Sequence, residues 1–340
     1  MSVHISKIFP EKLSKGDMIR VIAPACSLGI ISSSVRSIAL KRLEEMGLKV
    51  SFSKHCEERD VFDSSSVKSR LEDIHDAFAD PEIKAILTAI GGNNSIHLLK
   101  ELDYELIRNN PKILCGYSDI STLQNAIFAK TGLITYSGPH FSTFGCLKEI
   151  EYVVDYFQKC LFQKKKEIYL GSSVSWSDDE WYLNQEKRKF NSNAGYAAIH
   201  SGNASGTIIG GNIGSFNLLQ GTEYMPSLKG AVLFLEDNYP MTSEILDRYI
   251  QSLILQKDFQ YVRGIVLGRF QIDSKVTLGH LNEIINSKKE LEKIPVIAQA
   301  DFGHTLPMFT FPIGGEAKLE SSSNGIKLVL LDSMSGACSA

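Results

Sequence analysis

Hydrophobic positions in the first 160 or so residues follow two alternating periods. Short, nearly unbroken apolar runs at 18–23 (MIRVIA), 48–52, 85–89 (AILTA) and 111–115 (PKILC) have the length of strands. Segments of helical period lie between them. Residues 32–46 put Val35, Ile38, Ala39, Leu43 and Met46 on one face and stop at Gly47. Residues 65–79 stop before Asp80-Pro81, and helices are also predicted over 94–102 and 121–130. Apolar strands without polar alternation, spaced by amphipathic helices, predict a parallel sheet covered on both faces. One more helix over that layer is predicted at 150–162.

The rhythm breaks near residue 163. Residues 171–203 are polar, hold both tryptophans (Trp176 and Trp181) and show few strand or helix signals. Connections of that length without structure are commonly functional or mobile. Strands return at 207–209, 231–235, 264–267, 296–297 and 326–331, with a strong helix at 243–255. The expected architecture is α/β in three parts. Residues 1–165 form a domain with a parallel, flavodoxin-like sheet, 166–200 a linker or active-site loop, and 201–340 a mixed, β-rich α/β domain.

Composition narrows the function. A chain of 340 residues, 43% hydrophobic and 22% charged, is ordinary for two globular domains. Lys plus Arg number 36 against 39 Asp plus Glu, a net charge of -3, so no basic excess is available for a nucleic-acid backbone. No apolar run reaches the roughly 20 residues of a membrane span, and the N-terminus lacks the apolar core of a signal peptide. The cysteines at 26, 56, 115, 146, 160 and 338 form no CxxC pair and fit a reducing cytoplasm. No H-E-x-x-H and no G-x-G-x-x-G is present, so neither metal nor dinucleotide cofactor is expected.

The segment Cys115-Gly116-Tyr117-Ser118-Asp119-Ile120 puts a serine between a buried strand and the first turn of a helix. This is the setting of a nucleophile elbow, although Ile120 stands where the second glycine of G-x-S-x-G belongs. Ser118 as a simple N-cap is the other reading. Gly91-Gly92-Asn93-Asn94 follows the neighbouring strand, so Gly92 can offer an N–H opposite that of Asp119, as in an oxyanion hole. A turn chosen only for positive φ is the alternative.

Among the eight histidines, His4, His55, His75, His97, His200 and His280 sit in terminal, polar or helical contexts. His140, on a loop after the Ser118 helix, can line a pocket, and His304 follows a predicted strand in Asp301-Phe302-Gly303-His304. The apolar run from Ala231 ends in Glu236-Asp237, so Glu236 can emerge at a strand mouth and hold a histidine. Alternatively, Asp237 caps the turn through Asn238–Pro240 while Glu236 is solvated. The order Ser118, Glu236, His304 is one that a convergent triad adopts.

Several blocks in order are familiar: VIAPAC, AIGGNNS, NPKILCGYSDIS, TYSGPHF, GTIIGGNIGSFNLLQGTEYMP, GAVLFLEDNYP, GIVLGRF and IPVIAQADFGHTLPMFTFPIGGEAKL. Through them the chain resembles the LD-carboxypeptidase family of serine peptidases, in particular its microcin C self-immunity branch. The resemblance implies a Ser–Glu–His triad at Ser118, Glu236 and His304, and oxyanion donors from the backbone of Gly92 and Asp119. It also implies a groove between two domains, no metal, and a cytoplasmic homodimer. The implied substrate is an aminoacyl-nucleotide of the aspartyl-adenylate kind. The alternatives are a short peptide, namely a murein tetrapeptide losing its D-amino acid, or a small molecule bound without catalysis. The GGNN loop favours the immunity branch, since the murein enzymes tend to carry a GGYG-like turn there. Trp181, then Trp176, is the candidate for stacking on a base, against packing at an interdomain surface. Asn93, His140 and Asn212 complete the candidate substrate-binding set, and Lys187–Lys189 can meet a phosphate unless they form a solvated face.

Overall fold

The computed structural model describes residues 6–331; His4 and Cys338 lie outside the described residues. The first half alternates strand and helix. It runs β1 (Met18–Ile22), α1 (Ser33–Glu45), β2 (Lys49–Phe52), α2 (Val67–Ala79), β3 (Ile83–Thr88) and α3 (Tyr104–Asn109). β4 (Ile113–Gly116), α4 (Ile120–Thr131), β5 (Thr135–Ser137) and α5 (Glu151–Leu161) follow. Side-chain caps set the helix starts: Ser32, Ser66 and Asp103 each accept a backbone N–H of the first turn, worth about 1 kcal/mol apiece.

The expected helix at 94–102 is not continuous. Ser95–Leu98 is a 3-10 turn, and the helix proper starts at Tyr104 because Asp103 caps it there. Leu98, Leu99 and Leu102 are buried even so. Their apolar spacing reports the core rather than one helical face.

Residues 166–200, expected as a linker or active-site loop, carry four short strands. They are β6 (Glu167–Tyr169), β7 (Ser175–Trp176), β8 (Asn191–Ser192) and β9 (Ala197–His200). Then come β10 (Gly202–Asn212), α6 (Ile213–Asn217), β11 (Ala231–Glu236), α7 (Ser243–Ile254), β12 (Gly264–Gly268) and α8 (Leu278–Asn286). The chain closes with β13 (Val296–Ala300), β14 (Phe311–Ile313), β15 (Glu316–Ser322) and β16 (Gly325–Leu331).

Two large sheets result, in the orders β14-β5-β4-β3-β1-β2 and β6-β16-β15-β10-β11-β12-β13-β9, and β7 and β8 pair apart from them as a small antiparallel sheet. The first is parallel except for β14, which pairs antiparallel with β5. The second has a parallel centre, β10 to β13, flanked by antiparallel strands. This is a two-part α/β fold with one parallel-strand sheet and one mixed sheet. Three strands cross the expected division. β14 returns from the last third of the chain to the first sheet, while β6 and β9 belong to the second.

Two large apolar clusters each draw residues from both halves. Phe234 and Phe311 lie 4.9 Å apart between ring centroids, and Phe302 lies 5.4 Å from Phe309. Polar contacts between them are specific. Asn125 on α4 donates to Gly210 O at 2.7 Å and accepts from Gly210 N, while Ser121 Oγ accepts from Asn212 N at 2.9 Å. Such close approach needs glycine in β10: a Cβ on Gly211, whose φ is +113°, would fall 2.3 Å from Ser121 Oγ. α4 is thereby locked onto the strand that runs beside β11, with Asn212 in register with Glu236. No described helix is long and apolar enough to cross a membrane.

Candidate active site

Both parallel blocks aim their carboxyl ends at one cleft, the place where open α/β sheets bind ligands. Ser118 stands between β4 and α4 with φ +62°, a left-handed conformation for a residue that carries a Cβ. Such backbone costs on the order of 1–3 kcal/mol and persists where the surroundings over-determine it. Two glycines make the turn possible. A Cβ on Gly91 would lie 2.8 Å from Ser118 Cβ, and one on Gly116 would lie 2.1 Å from Thr88 Oγ1.

Three side chains predicted as a set meet here. Ser118 Oγ lies 2.9 Å from His304 Nε2, and His304 Nδ1 lies 2.7 Å from Glu236 Oε2. With Nδ1–H donating to the carboxylate, Nε2 is left as an acceptor for the serine hydroxyl. Glu236 ends β11 and is 1% exposed, whereas the His304 side chain keeps 17%. Burial pulls the imidazole pKa down, but the charge and hydrogen bond of Glu236, with help from Asp237, raise it on balance above its ordinary value. The N-cap reading of Ser118 is not what forms: Asp119 takes the N-cap position, and its side chain makes no capping bond.

Glu236 has glycine on two sides. A Cβ on Gly268 would lie 2.7 Å from Glu236 Cβ, and one on Gly303, at φ +104°, would lie 2.4 Å from Glu236 Oε2. Gly303→Ala is therefore expected to displace the carboxylate and the His304 turn together. Activity should fall about 10²-fold, the usual cost of an ångström-scale misplacement, and the melting temperature should fall as well. Steady-state kinetics and a thermal melt check this; unchanged kinetics would contradict the packing argument.

The N–H groups of Gly92 and Asp119 take part in no hydrogen bond among the described residues. Their loops are pinned to each other. Ser95 N–H donates to the Asp119 carboxylate at 2.8 Å, and Ser95 Oγ donates to Asp119 O at 2.8 Å. Burial raises the Asp119 carboxyl pKa, so this side chain works within the scaffold while its N–H stays unspent. Gly92 has no room for a side chain, since a Cβ would sit 2.8 Å from Cys26 N.

A cleft of about 300 Å³ opens beside Ser118. Asn93 and Asn212, both predicted to bind substrate, line it. Asn212 also accepts the Ser215 N–H as N-cap of α6 and donates to Asp237. His140, predicted to line a pocket, does not reach the cleft. It is 2% exposed, lies 2.6 Å from Thr88 Oγ1 through Nδ1 and stacks on Tyr117 at 4.3 Å. Burial, and then the charge of His304, lower it to about 3, so it backs the serine turn as a neutral ring. Neither tryptophan lines the cleft. Arg269 covers the Trp176 ring at 4.9 Å, while the half-buried Trp181 packs against the buried cluster that holds Leu306 and Met308. Arg188 is not available to a phosphate, because its buried side chain is paired with Asp179. Met241, Ile245 and Tyr249 also line the cleft. Ile245 and Tyr249 lie on α7, whose amphipathic pattern marks core and cleft residues alike.

Two family profiles match the chain, the LD-carboxypeptidase N-terminal domain over residues 19–138 and its C-terminal domain over 205–319. The chain belongs to the LD-carboxypeptidase family. Its members are peptidases, and this one is of the serine type. YocD of Bacillus subtilis, a carboxypeptidase candidate by name, is 48% identical over 93% of this chain and 97% of its own. The microcin C7 self-immunity protein MccF of Escherichia coli is 30% identical over 96% and 97%. The crystal structure of an MccF-like protein from Bacillus anthracis superposes with a TM-score of 0.94 at 55% identity, covering 95% of this chain and 99% of that one. MccF in complex with aspartyl sulfamoyl adenosine superposes at 0.87 with 29% identity, covering 96% and 98%. This member of the LD-carboxypeptidase family thus shares its two-part fold with MccF.

Proposed function

We propose that the protein is a serine peptidase that hydrolyses the amide bond of an aminoacyl-nucleotide of the aspartyl-adenylate kind, and so detoxifies it. The observation that carries the reading is the hydrogen-bonded series Glu236–His304–Ser118 at the cleft, in a chain 30% identical to MccF. Ser118 Oγ attacks the acyl carbon as His304 Nε2 takes its proton, and the N–H groups of Gly92 and Asp119 hold the oxyanion. His304 returns the proton to the leaving nitrogen, giving the free nucleotide part and an acyl ester on Ser118. It then takes a proton from water as the water oxygen attacks the ester, and passes it to Ser118 Oγ as that oxygen leaves and the acid is released. Glu236 fixes the tautomer and stabilises the imidazolium. Trp181 is the residue proposed to stack on the base, its half-buried ring packed against the cluster that holds Leu306 and Met308. A cytoplasmic location, a homodimeric state and the division at residues 165 and 200 belong to the same reading.

Relatives named carboxypeptidases, among them a murein tetrapeptide carboxypeptidase of Pseudomonas aeruginosa at 27% identity, favour a second substrate, a tetrapeptide ending in L-Lys–D-Ala. A fluorophosphonate probe is expected to label Ser118, and aspartyl sulfamoyl adenosine is expected to be hydrolysed faster than the tetrapeptide. Preference for the tetrapeptide would overturn the substrate, and an unlabelled Ser118 would overturn the peptidase mechanism.

A further inference from the structure

Gly214, in the first turn of α6, has three groups converging on its bare Cα. A Cβ there would lie 3.1 Å from Asp237 Oδ2, 3.4 Å from Asn212 Oδ1 and 3.5 Å from Tyr249 Cε2. All four residues line the cleft beside Ser118. Asp237 is 7% exposed and Asn212 4%. Asp237 Oδ1 is engaged, accepting from Asn212 Nδ2 at 2.9 Å and from Asn238 N at 2.8 Å. Oδ2 has a single long bond, 3.2 Å from Gly214 N, and therefore keeps acceptor capacity.

The charge around this point is one-sided. No lysine, arginine or histidine lines the cleft among the described residues. Burial first, and then the neighbouring Glu236, push the Asp237 carboxyl up to about 6, with His304 the cation that acts against them. A buried carboxylate without a cationic partner is costly, and a ligand that brings the cation relieves that cost. Two acceptor oxygens beside an aromatic ring form the environment that ammonium groups select.

We propose that this corner of the cleft is a subsite for an ammonium group on the acyl part of the substrate, with Asp237 as charge partner, Asn212 as second acceptor and Tyr249 as aromatic wall. The inference rests on the reading of Ser118 as nucleophile and adds the charge that the acyl group must carry. In an aminoacyl-nucleotide the group is the free α-amine. In a tetrapeptide ending in L-Lys–D-Ala it is the lysine side chain. The chemistry is the same and the sources differ. An acyl group whose charge at this point is negative meets Asp237 with like charge and is disfavoured.

The test pairs each substrate with a near-isostere lacking the ammonium, using the full-length protein. Aspartyl sulfamoyl adenosine is compared with its α-hydroxy analogue, and the lysine tetrapeptide with its norleucine analogue. In the scaffold that is turned over, loss of the ammonium is expected to cut kcat/KM by about tenfold or more, mainly through KM. Asp237→Asn should shrink that ratio towards one, because its effect through His304 falls equally on both members of a pair and cancels in the ratio. Should Asp237→Asn fail to fold, Tyr249→Leu carries the same test and should reduce the ratio by about threefold. The scaffold that shows the effect identifies the amine. Equal kcat/KM within a pair, or a ratio that both variants leave intact, overturns the subsite while leaving the serine mechanism in place. If neither scaffold is turned over but the fluorophosphonate labels Ser118, the subsite alone fails. If Ser118 is unlabelled as well, the reading of Ser118 falls with it.

Discussion

Ser118→Ala is expected to remove turnover almost completely, with kcat falling by about 10⁴- to 10⁶-fold. The fold should be untouched. The hydroxyl makes one contact of consequence, to His304 Nε2 at 2.9 Å. The φ of +62° at this position is disfavoured for any residue that carries a Cβ, so alanine inherits the strain and adds none. The side chain that presses on Gly91 keeps its Cβ, and the elbow therefore keeps its shape. Hydrolysis of the preferred substrate and a thermal melt on the same preparation check both halves of the expectation. A variant within tenfold of the parent in kcat would remove Ser118 from the mechanism, whatever the geometry.

The alternation of apolar runs and amphipathic segments up to residue 162 made most of the first sheet legible, because strands buried on both faces need no polar alternation and stand out as unbroken runs. β14 was not legible. Three residues with Pro312 at the centre have no strand signal, and they pair with β5 only because the chain returns to the edge of the first sheet. β10 was legible over 207–209 alone, since its glycines weaken the local signal. The same glycines let α4 and the neighbouring strand approach within contact of its backbone, where Cβ atoms on Gly206 and Gly211 would clash. Local propensity and tertiary need point in opposite directions at those positions, and tertiary need prevails. The site divides in the same way. Serine, carboxylate and histidine could be proposed from strand ends and glycine context, whereas Asp237 and Tyr249 converge on Gly214 only once α6 and α7 are packed. His140 shows the limit of context, because a loop histidine after a glycine and a proline reads as pocket-lining until burial behind Tyr117 is known.

Glu236→Gln separates the role of the carboxylate from that of its shape. Glutamine has the same size, so it fits between Gly268 and Gly303, and the fold should hold. The amide can present N–H₂ towards His304 Nδ1, and the ring then carries its proton on Nε2, where it cannot accept from Ser118. A loss of about 10³- to 10⁴-fold in kcat is expected. The pH profile should change in a definite direction. Burial alone lowers the His304 pKa, and the charge and hydrogen bond of Glu236, supported by Asp237, overcome it, so the imidazole titrates above its ordinary 6.5. The neutral ring is the base. Activity of the parent should therefore be lost as pH falls through that raised value and be present above it. In Glu236→Gln the larger of the two raising charges is gone and burial gains weight, so the acidic limb should move to lower pH while the plateau drops. Measuring kcat/KM from about pH 5 to 9 reads both changes. A limb that stays in place or moves upward would mean that Glu236 does not hold the imidazolium, and the carboxylate would then be a packing residue at the mouth of β11.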